Sequence, residues 1–284
     1  MKYIISLMVC CLLFNAAHSQ KIHVNTFIGI ANYQGDLQEK RLTFNQARFA
    51  AGGGISYELS EKLLLRAGVI AGRVTADDKL NSKNSFRNLN FTSSVTEGQL
   101  AAEYYFRNLY EHSLSPYVFA GLAVYHFNPF TKDTSGNKFF LKPLSTEGQG
   151  FYQNRKPYEL TQFAIPFGGG VKFALKDNIR VGFELGLRKL FTDYLDDVST
   201  TYVDQDLLLL NQGAKSVELA FRSGELKNVF TYPPGGTQRG ANKAKDWYYF
   251  TGLTASFRIG GSDRVGRGNW KRAKSGTGCP TGVY

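Results

Sequence analysis

Residues 178–189 read NIRVGFELGLRK, and their alternation decides the fold. Ile179, Val181, Phe183, Leu185 and Leu187 fall on one parity; Arg180, Gly182, Glu184, Gly186 and Arg188 fall on the other. A period of two belongs to an extended strand with unlike faces, here one apolar and one of small and charged residues. A polar face meeting water would be rich in Lys, Glu and Thr. Glycine with isolated Arg and Glu instead suits the cramped interior of a narrow barrel, which turns the apolar face outward to lipid.

The same alternation recurs along the chain. Leu63, Leu65, Ala67 and Val69 oppose Arg66 and Gly68, while Leu100, Ala102, Tyr104 and Phe106 oppose Glu97, Gln99 and Glu103. Phe163, Ile165, Phe167, Val171, Phe173 and Leu175 oppose Gln162, Gly168, Gly170 and Lys172; Trp247, Tyr249, Leu253, Phe257 and Ile259 oppose Gly252, Ser256 and Arg258. HVNTFIGIANY (23–33), RFAAGGGISYEL (48–59) and PYVFAGLAVYHF (116–127) bring the count to about eight strands, the parity of the last being ambiguous. Connections alternate between short ones, SEK (60–62), RNLYEHSLS (107–115) and KDN (176–178), and long ones at 128–160 and 191–245. Aromatic residues bunch at strand ends, as in EYYF (103–106) and WYYF (247–250). This pattern predicts an all-β fold: an eight-stranded antiparallel transmembrane β-barrel of outer-membrane type, with short periplasmic turns, long extracellular loops and both termini in the periplasm. A barrel this narrow is filled by its own side chains. Arg66, Glu103, Lys172, Arg180, Glu184 and Arg188 are therefore expected to neutralise one another in the interior, which excludes an open pore.

The first twenty residues, MKYIISLMVCCLLFNAAHSQ, join Lys2 to an apolar run and then to small residues, the pattern of a secretory signal peptide over residues 1–19. The apolar run falls short of the roughly 20 residues a membrane helix needs. A barrel domain is expected over 20–260 and a basic periplasmic tail over 261–284. Of three cysteines only Cys279 follows the leader, so no internal disulfide framework is expected. The formal net charge is +11; export to the bacterial outer membrane argues against nucleic acid as the partner and for outer-membrane lipid.

FTDYLDDVSTTYVD (191–204) concentrates Asp193, Asp196, Asp197 and Asp204. Their spacing matches no calcium loop of known geometry. His23, His112 and His126 read as rim residues without a Ser partner, and FGGGV (167–171) lacks the Lys and Ser or Thr of a phosphate loop. No catalytic residue, cofactor or metal ligand is expected. Asp193, Asp196, Asp197 and Glu147 are read as loop-shaping groups, with Lys215, Arg222 or Arg239 as counter-ions. A lipid-modifying barrel enzyme and a small adhesin or ligand-binding barrel are the alternatives.

Four stretches, NYQGDL (32–37), RNLNF (87–91), LSTEGQG (144–150) and FTDYLDDVSTTYVD (191–204), together resemble the PorG family of outer-membrane proteins of the type IX secretion system, in this order and at these strand and loop positions. The resemblance implies a non-enzymatic barrel that associates from the periplasmic side with the ring of the lipoprotein PorK and its partner PorN. The terminal stretch GGSDRVGRGNWKRAKSGTGCPTGVY (260–284) sets Arg264, Arg267, Lys271, Arg272 and Lys274 against Asp263 alone. It is expected to be a docking segment for that ring, with Trp270 as apolar anchor and the cations steering encounter.

Overall fold

The structure is a computed structural model and describes residues 22–38, 43–80, 84–152, 154–176, 178–227, 230–241 and 245–259. The expected leader (1–19) and tail (261–284) lie outside the described residues.

Eight long strands are found among the described residues: β1 (Ile22–Gln34), β2 (Arg48–Glu58), β3 (Leu63–Asp77), β4 (Asn90–Tyr105), β5 (Leu114–Lys132), β7 (Thr161–Lys176), β8 (Ile179–Leu190) and β9 (Trp247–Ile259). A ninth, β6 (Lys138–Phe140), only extends β5. Each long strand pairs antiparallel with the next, β5 with β7, and β9 pairs back onto β1 from Ile22↔Ile259 to Gln34↔Trp247. The sheet therefore has no open edge around the wall, which is what a spanning β structure requires in lipid. The strands run 11 to 19 residues, longer than the roughly 9–11 that cross a bilayer, so several project beyond it.

The apolar parity points outward. Ile28, Leu100, Leu122, Phe163 and Leu253 are each at least 60% exposed, on β1, β4, β5, β7 and β9. Such a continuous apolar belt is untenable in water and is the lipid-facing surface of a transmembrane barrel. The ambiguous β5 resolves with Tyr117, Phe119, Ala123, Tyr125 and Phe127 inward and Val118, Leu122 and Val124 outward.

Closing so narrow a cylinder brings backbones together, and at three registers glycine faces glycine: Gly29↔Gly252, Gly54↔Gly68 and Gly168↔Gly186. A Cβ on Gly168 would lie 2.8 Å from the Cα of Gly186, so the pair lets the wall bend where a side chain would prop it apart.

The interior has two layers. Toward the short turns it holds the charged residues. Toward the long loops it is an aromatic core that includes Phe27, Tyr33, Phe91, Tyr125, Phe127, Tyr248 and Phe250. The longest loop contains helix. Residues 205–220 form α1 (Gln205–Gln212) and α2 (Ala214–Ala220), with Asp204 accepting from the amides of Asp206 and Leu207 at the first N-terminus. Gly213, at φ +83°, makes the break between them. Sequence periodicity over two such short helices is too brief to register.

Candidate functional site

Two polar constellations stand out, one in the lumen and one over the long-loop end. In the lumen, Arg66 reaches Glu103 at 2.8 Å and Glu184 at 2.6 Å; Lys172 reaches Glu103 at 3.0 Å. Arg180 pairs with Glu58 at 2.8 Å and Arg188 with Glu97 at 2.9 Å. Glu184 thus bonds across the barrel to Arg66 and not to Arg180 or Arg188 on its own strand face, because same-face neighbours along a strand lie farther apart than side chains meeting across a narrow lumen. Glu58 and Glu97 complete a set of four carboxylates for four cations; neither was among the expected network residues, although Glu97 shows the inward parity. Tyrosine hydroxyls satisfy the remaining acceptor sites: Tyr117 donates to Glu184 at 2.6 Å, Tyr105 to Glu103 at 2.9 Å and Tyr248 to Glu97 at 2.6 Å. A cavity of ≈30 Å³ lies between Arg66, Glu103, Lys172 and Glu184, room for about one or two waters. The arrangement neutralises charge and blocks passage.

Of the histidines, His23 departs from the rim position expected of it. It points inward, is 1% exposed, and its Nε2 lies 2.9 Å from Glu58 Oε1. His126 faces outward within β5 beside Thr161, Nδ1 to Oγ1 3.0 Å.

The second constellation is a cap in which the loops leaving β1, β3, β6 and β8 meet. Its centre is Glu147, fully buried. Oε1 accepts from the Ser199 amide at 2.9 Å and from Arg239 Nη1 at 3.0 Å. Oε2 accepts from the Thr200 amide at 2.9 Å, the Thr200 hydroxyl at 2.6 Å and Tyr194 at 3.3 Å. One carboxylate thus ties the loop before β7 to both ends of the loop after β8. Arg239 also donates to the Asp197 carbonyl at 2.7 Å. A second ion pair, Arg87 with Asp78 at 2.8 Å, sits alongside, and Arg87 further donates to the carbonyls of Asp36 and Arg239.

The aspartates of 191–204 are all but one buried here. Asp197 adopts φ +66° and accepts from Thr146 at 2.5 Å and Tyr158 at 2.8 Å. Asp193 accepts from the Ser199 hydroxyl at 2.8 Å. Asp204 stays exposed as the cap of α1. Of the expected counter-ions only Arg239 comes near; Lys215 pairs with Glu218 at 2.6 Å and Asp133 at 3.5 Å, and Arg222 with Glu225 at 2.8 Å. Those two cations lie on α2 and just after it, where a neighbouring acid is closer than the buried stretch. Among the described residues no group of three or more His, Cys, Asp or Glu could hold a metal ion.

Burial dominates the acidity of this cap. It pushes the Asp193 carboxyl up to about 7 and that of Asp197 up to about 6, the latter against the pull of Arg239. A carboxyl held up in the folded cap keeps a proton that the unfolded chain releases near 4. Its contribution to cap stability is complete below that value and is lost as pH rises through about 6 for Asp197 and about 7 for Asp193.

The stretches NYQGDL, RNLNF, LSTEGQG and FTDYLDDVSTTYVD, far apart in sequence, all converge on this cap: Asp36, Arg87, Glu147 and Asp197 belong to one each. Tyr33, Asp36, Asp78, Arg87 and Asp246 were not among the expected loop-shaping residues, though Tyr33, Asp36 and Arg87 lie inside those stretches.

A closed antiparallel sheet with an outward apolar belt, a charge-filled lumen and one capped mouth defines a β-barrel of the outer-membrane type. Within that class the chain belongs to the family described as a domain of unknown function, DUF6089, whose model matches residues 2–214. No curated protein matches it. Among solved structures it is similar to neisserial surface protein A, at 10% identity over 84% of this chain and 97% of that one with a TM-score of 0.42. It is also similar to Ail, the attachment invasion locus protein of Yersinia pestis (7% identity, 85% and 99% covered, TM-score 0.41), and to a major outer membrane protein from Thermus thermophilus (15%, 85% and 100%, 0.41). Likenesses this distant say nothing about ligands or partners.

Proposed function

We propose that the protein is a non-enzymatic, PorG-type component of the type IX protein secretion system, a sealed barrel that anchors a PorK and PorN ring to the bacterial outer membrane. The observation that carries the reading is the convergence of all four resembling stretches on one buried cap, since residues kept for a shared architecture must fold into a single unit while unrelated surface loops need not. The plugged lumen supports it as well: a barrel filled by its own ion-paired side chains anchors an assembly more readily than it conducts a protein. In this reading the short-turn end faces the periplasm and the cap faces outward.

Orientation is tested first. Gly136 and Gly213 both lie at the long-loop end with open space around them, so Gly136→Cys and Gly213→Cys should react with an impermeant maleimide on whole cells. Reaction only after the envelope is opened would reverse the topology.

Ring attachment is tested on the tail, which lies outside the described residues. Removing residues 262–284 should leave the barrel inserted and reduce recovery of PorK and PorN in affinity purification from membranes. Trp270→Ala should weaken recovery even in high salt, whereas Lys271→Ala with Arg272→Ala should weaken it chiefly at low salt, as expected of steering charges. Undiminished recovery after truncation would move the contact to the turns around Ser60 and His112.

A further inference from the structure

Tyr33, Asp196 and Asp246 meet beneath the cap, each no more than 1% exposed. The Tyr33 hydroxyl oxygen lies 2.5 Å from Asp196 Oδ2 and 3.1 Å from Asp246 Oδ1. A hydroxyl carries one proton and serves one carboxylate at a time. The far oxygen of each acid is already engaged: Asp196 Oδ1 accepts from the Val198 amide at 2.9 Å, and Asp246 Oδ2 from the Leu195 amide at 2.9 Å. If both acids were ionised, the Tyr33 oxygen and Asp246 Oδ1 would face each other with no hydrogen between them, among side chains shielded from bulk solvent. The contact becomes a hydrogen bond when Asp246 itself brings the proton.

We propose that Asp246 is protonated in the closed cap, and that the chain from Asp246 through Tyr33 to an ionised Asp196 is a proton-held latch that loosens when base removes that one proton. The latch joins the end of β1 to Asp196, near the start of the loop between β8 and β9, and to Asp246, its last residue, so its release frees that loop at both roots. Its surroundings favour the neutral acid. From the loop after β1 Asp36 adds negative charge, and from the latch's own loop Asp193 does so. Tyr125 of β5 is a neutral neighbour. Glu147 and Lys245 act on the adjacent Asp193, with opposite sign. The two nearby guanidinium groups are committed elsewhere, Arg87 to Asp78 and Arg239 to Glu147. Burial, together with Asp196 and Asp193, holds the Asp246 carboxyl well above the usual carboxylate range, and burial with Asp36 raises Asp196 likewise. The pair shares one proton, and the short 2.5 Å contact from Tyr33, the length of a hydrogen bond to an ionised acceptor, leaves it on Asp246. The inference rests on the cap geometry and holds whatever the barrel's partner is.

The sign follows from linkage: the closed cap binds a proton that the opened cap releases, so closure is favoured at low pH and lost as pH rises through the latch's own titration. Asp246→Asn mimics the protonated acid, its amide oxygen taking the Leu195 N–H and its amide nitrogen donating to Tyr33. Asp196→Ala removes the acceptor of both the Tyr33 hydroxyl and the Val198 N–H.

The test is hydrogen exchange of the Leu195 and Val198 amides in the full chain in detergent micelles, with infrared detection of protonated carboxyl groups. In the wild type, exchange between neutral and alkaline pH should accelerate at least about tenfold more than in Asp246→Asn, where the latch cannot lose its proton. At neutral pH the wild type should also show one more protonated carboxyl group than Asp246→Asn, in excess of what Asp193 and Asp197 contribute to both. Asp196→Ala should exchange fast at every pH, at Val198 above all. The proposal is overturned if Asp246→Asn loosens the cap as much as Asp196→Ala, or if the protonated-carboxyl intensity is the same in the wild type and in Asp246→Asn. It is equally overturned if alkaline loosening persists in Asp246→Asn and disappears in Asp193→Asn.

Discussion

Replacing Glu97 by leucine is expected to destabilise the barrel by about 3–5 kcal/mol, the range seen when one partner of a buried ion pair is removed. Glu97 and Arg188 are both fully buried and joined through Arg188 Nε at 2.9 and 3.2 Å and Nη2 at 2.9 Å. Tyr248 donates to the same carboxylate, so the substitution strands a guanidinium and a hydroxyl together. The guanidinium keeps only the Gly186 carbonyl at 2.6 Å and the face of Phe250, 4.6 Å from the ring centre. The unfolding temperature in detergent should fall markedly. Glu97→Leu combined with Arg188→Met should recover most of the loss, because a neutral apolar pair removes the uncompensated charge instead of the bond alone. Equal instability of the single and double variants would mean that volume, not charge, sets the cost. Glu184→Leu should also destabilise, by a smaller amount, since Arg66 retains Glu103.

The second large effect is expected at Glu147. Its five accepted hydrogen bonds hold three separate loop segments, and bonds to a charged acceptor contribute roughly 1.5–3 kcal/mol each when measured singly. They are not additive, yet Glu147→Leu should abolish a folded cap while the wall persists, for no long strand depends on it. The measurement is limited proteolysis in micelles. Cleavage within 191–246 should become fast in the variant, with the wall fragment still resistant and still migrating as a folded barrel. Glu147→Gln, which keeps the shape and one good acceptor, should fall between. Cleavage no faster than in the wild type would show that the loops are held by their apolar contacts, such as the Tyr158–Tyr194 stack at 4.9 Å.

What could be read in advance depended on whether a single strand carried the information. In β8, Arg180, Glu184 and Arg188 share a parity with the glycines, and that parity is a property of the extended chain itself, so the inward face follows without any neighbour. In β5 both parities are apolar: Tyr117, Phe119, Tyr125 and Phe127 alternate with Val118, Leu122 and Val124. There lipid and core ask for the same chemistry, and only closure of the sheet assigned the aromatic set to the lumen.

Pairing was beyond the sequence for a related reason. Glu184 sits beside Arg180 and Arg188 in the pattern, yet a barrel's strand register, set by eight ladders together, carries it to Arg66, 118 positions away. The same closure delivers Glu97 to Arg188 and Glu58 to His23 and Arg180.

The cap divides in the same way. That FTDYLDDVSTTYVD opens a loop could be read from the strand it follows. That Asp196 must share a hydrogen-bond chain with Tyr33 and Asp246 could not, since those three residues are brought together from 163 and 50 positions apart along the chain only when the ends of β1, β8 and β9 are fixed in one ring. The sequence by itself determined the strands, the lipid-facing side of those with unlike faces and the capacity to fill a narrow lumen, because those follow from local periodicity and volume. Tertiary structure alone decided which charges neutralise which and where a proton must be held, because burial and distance exist only once the sheet has closed.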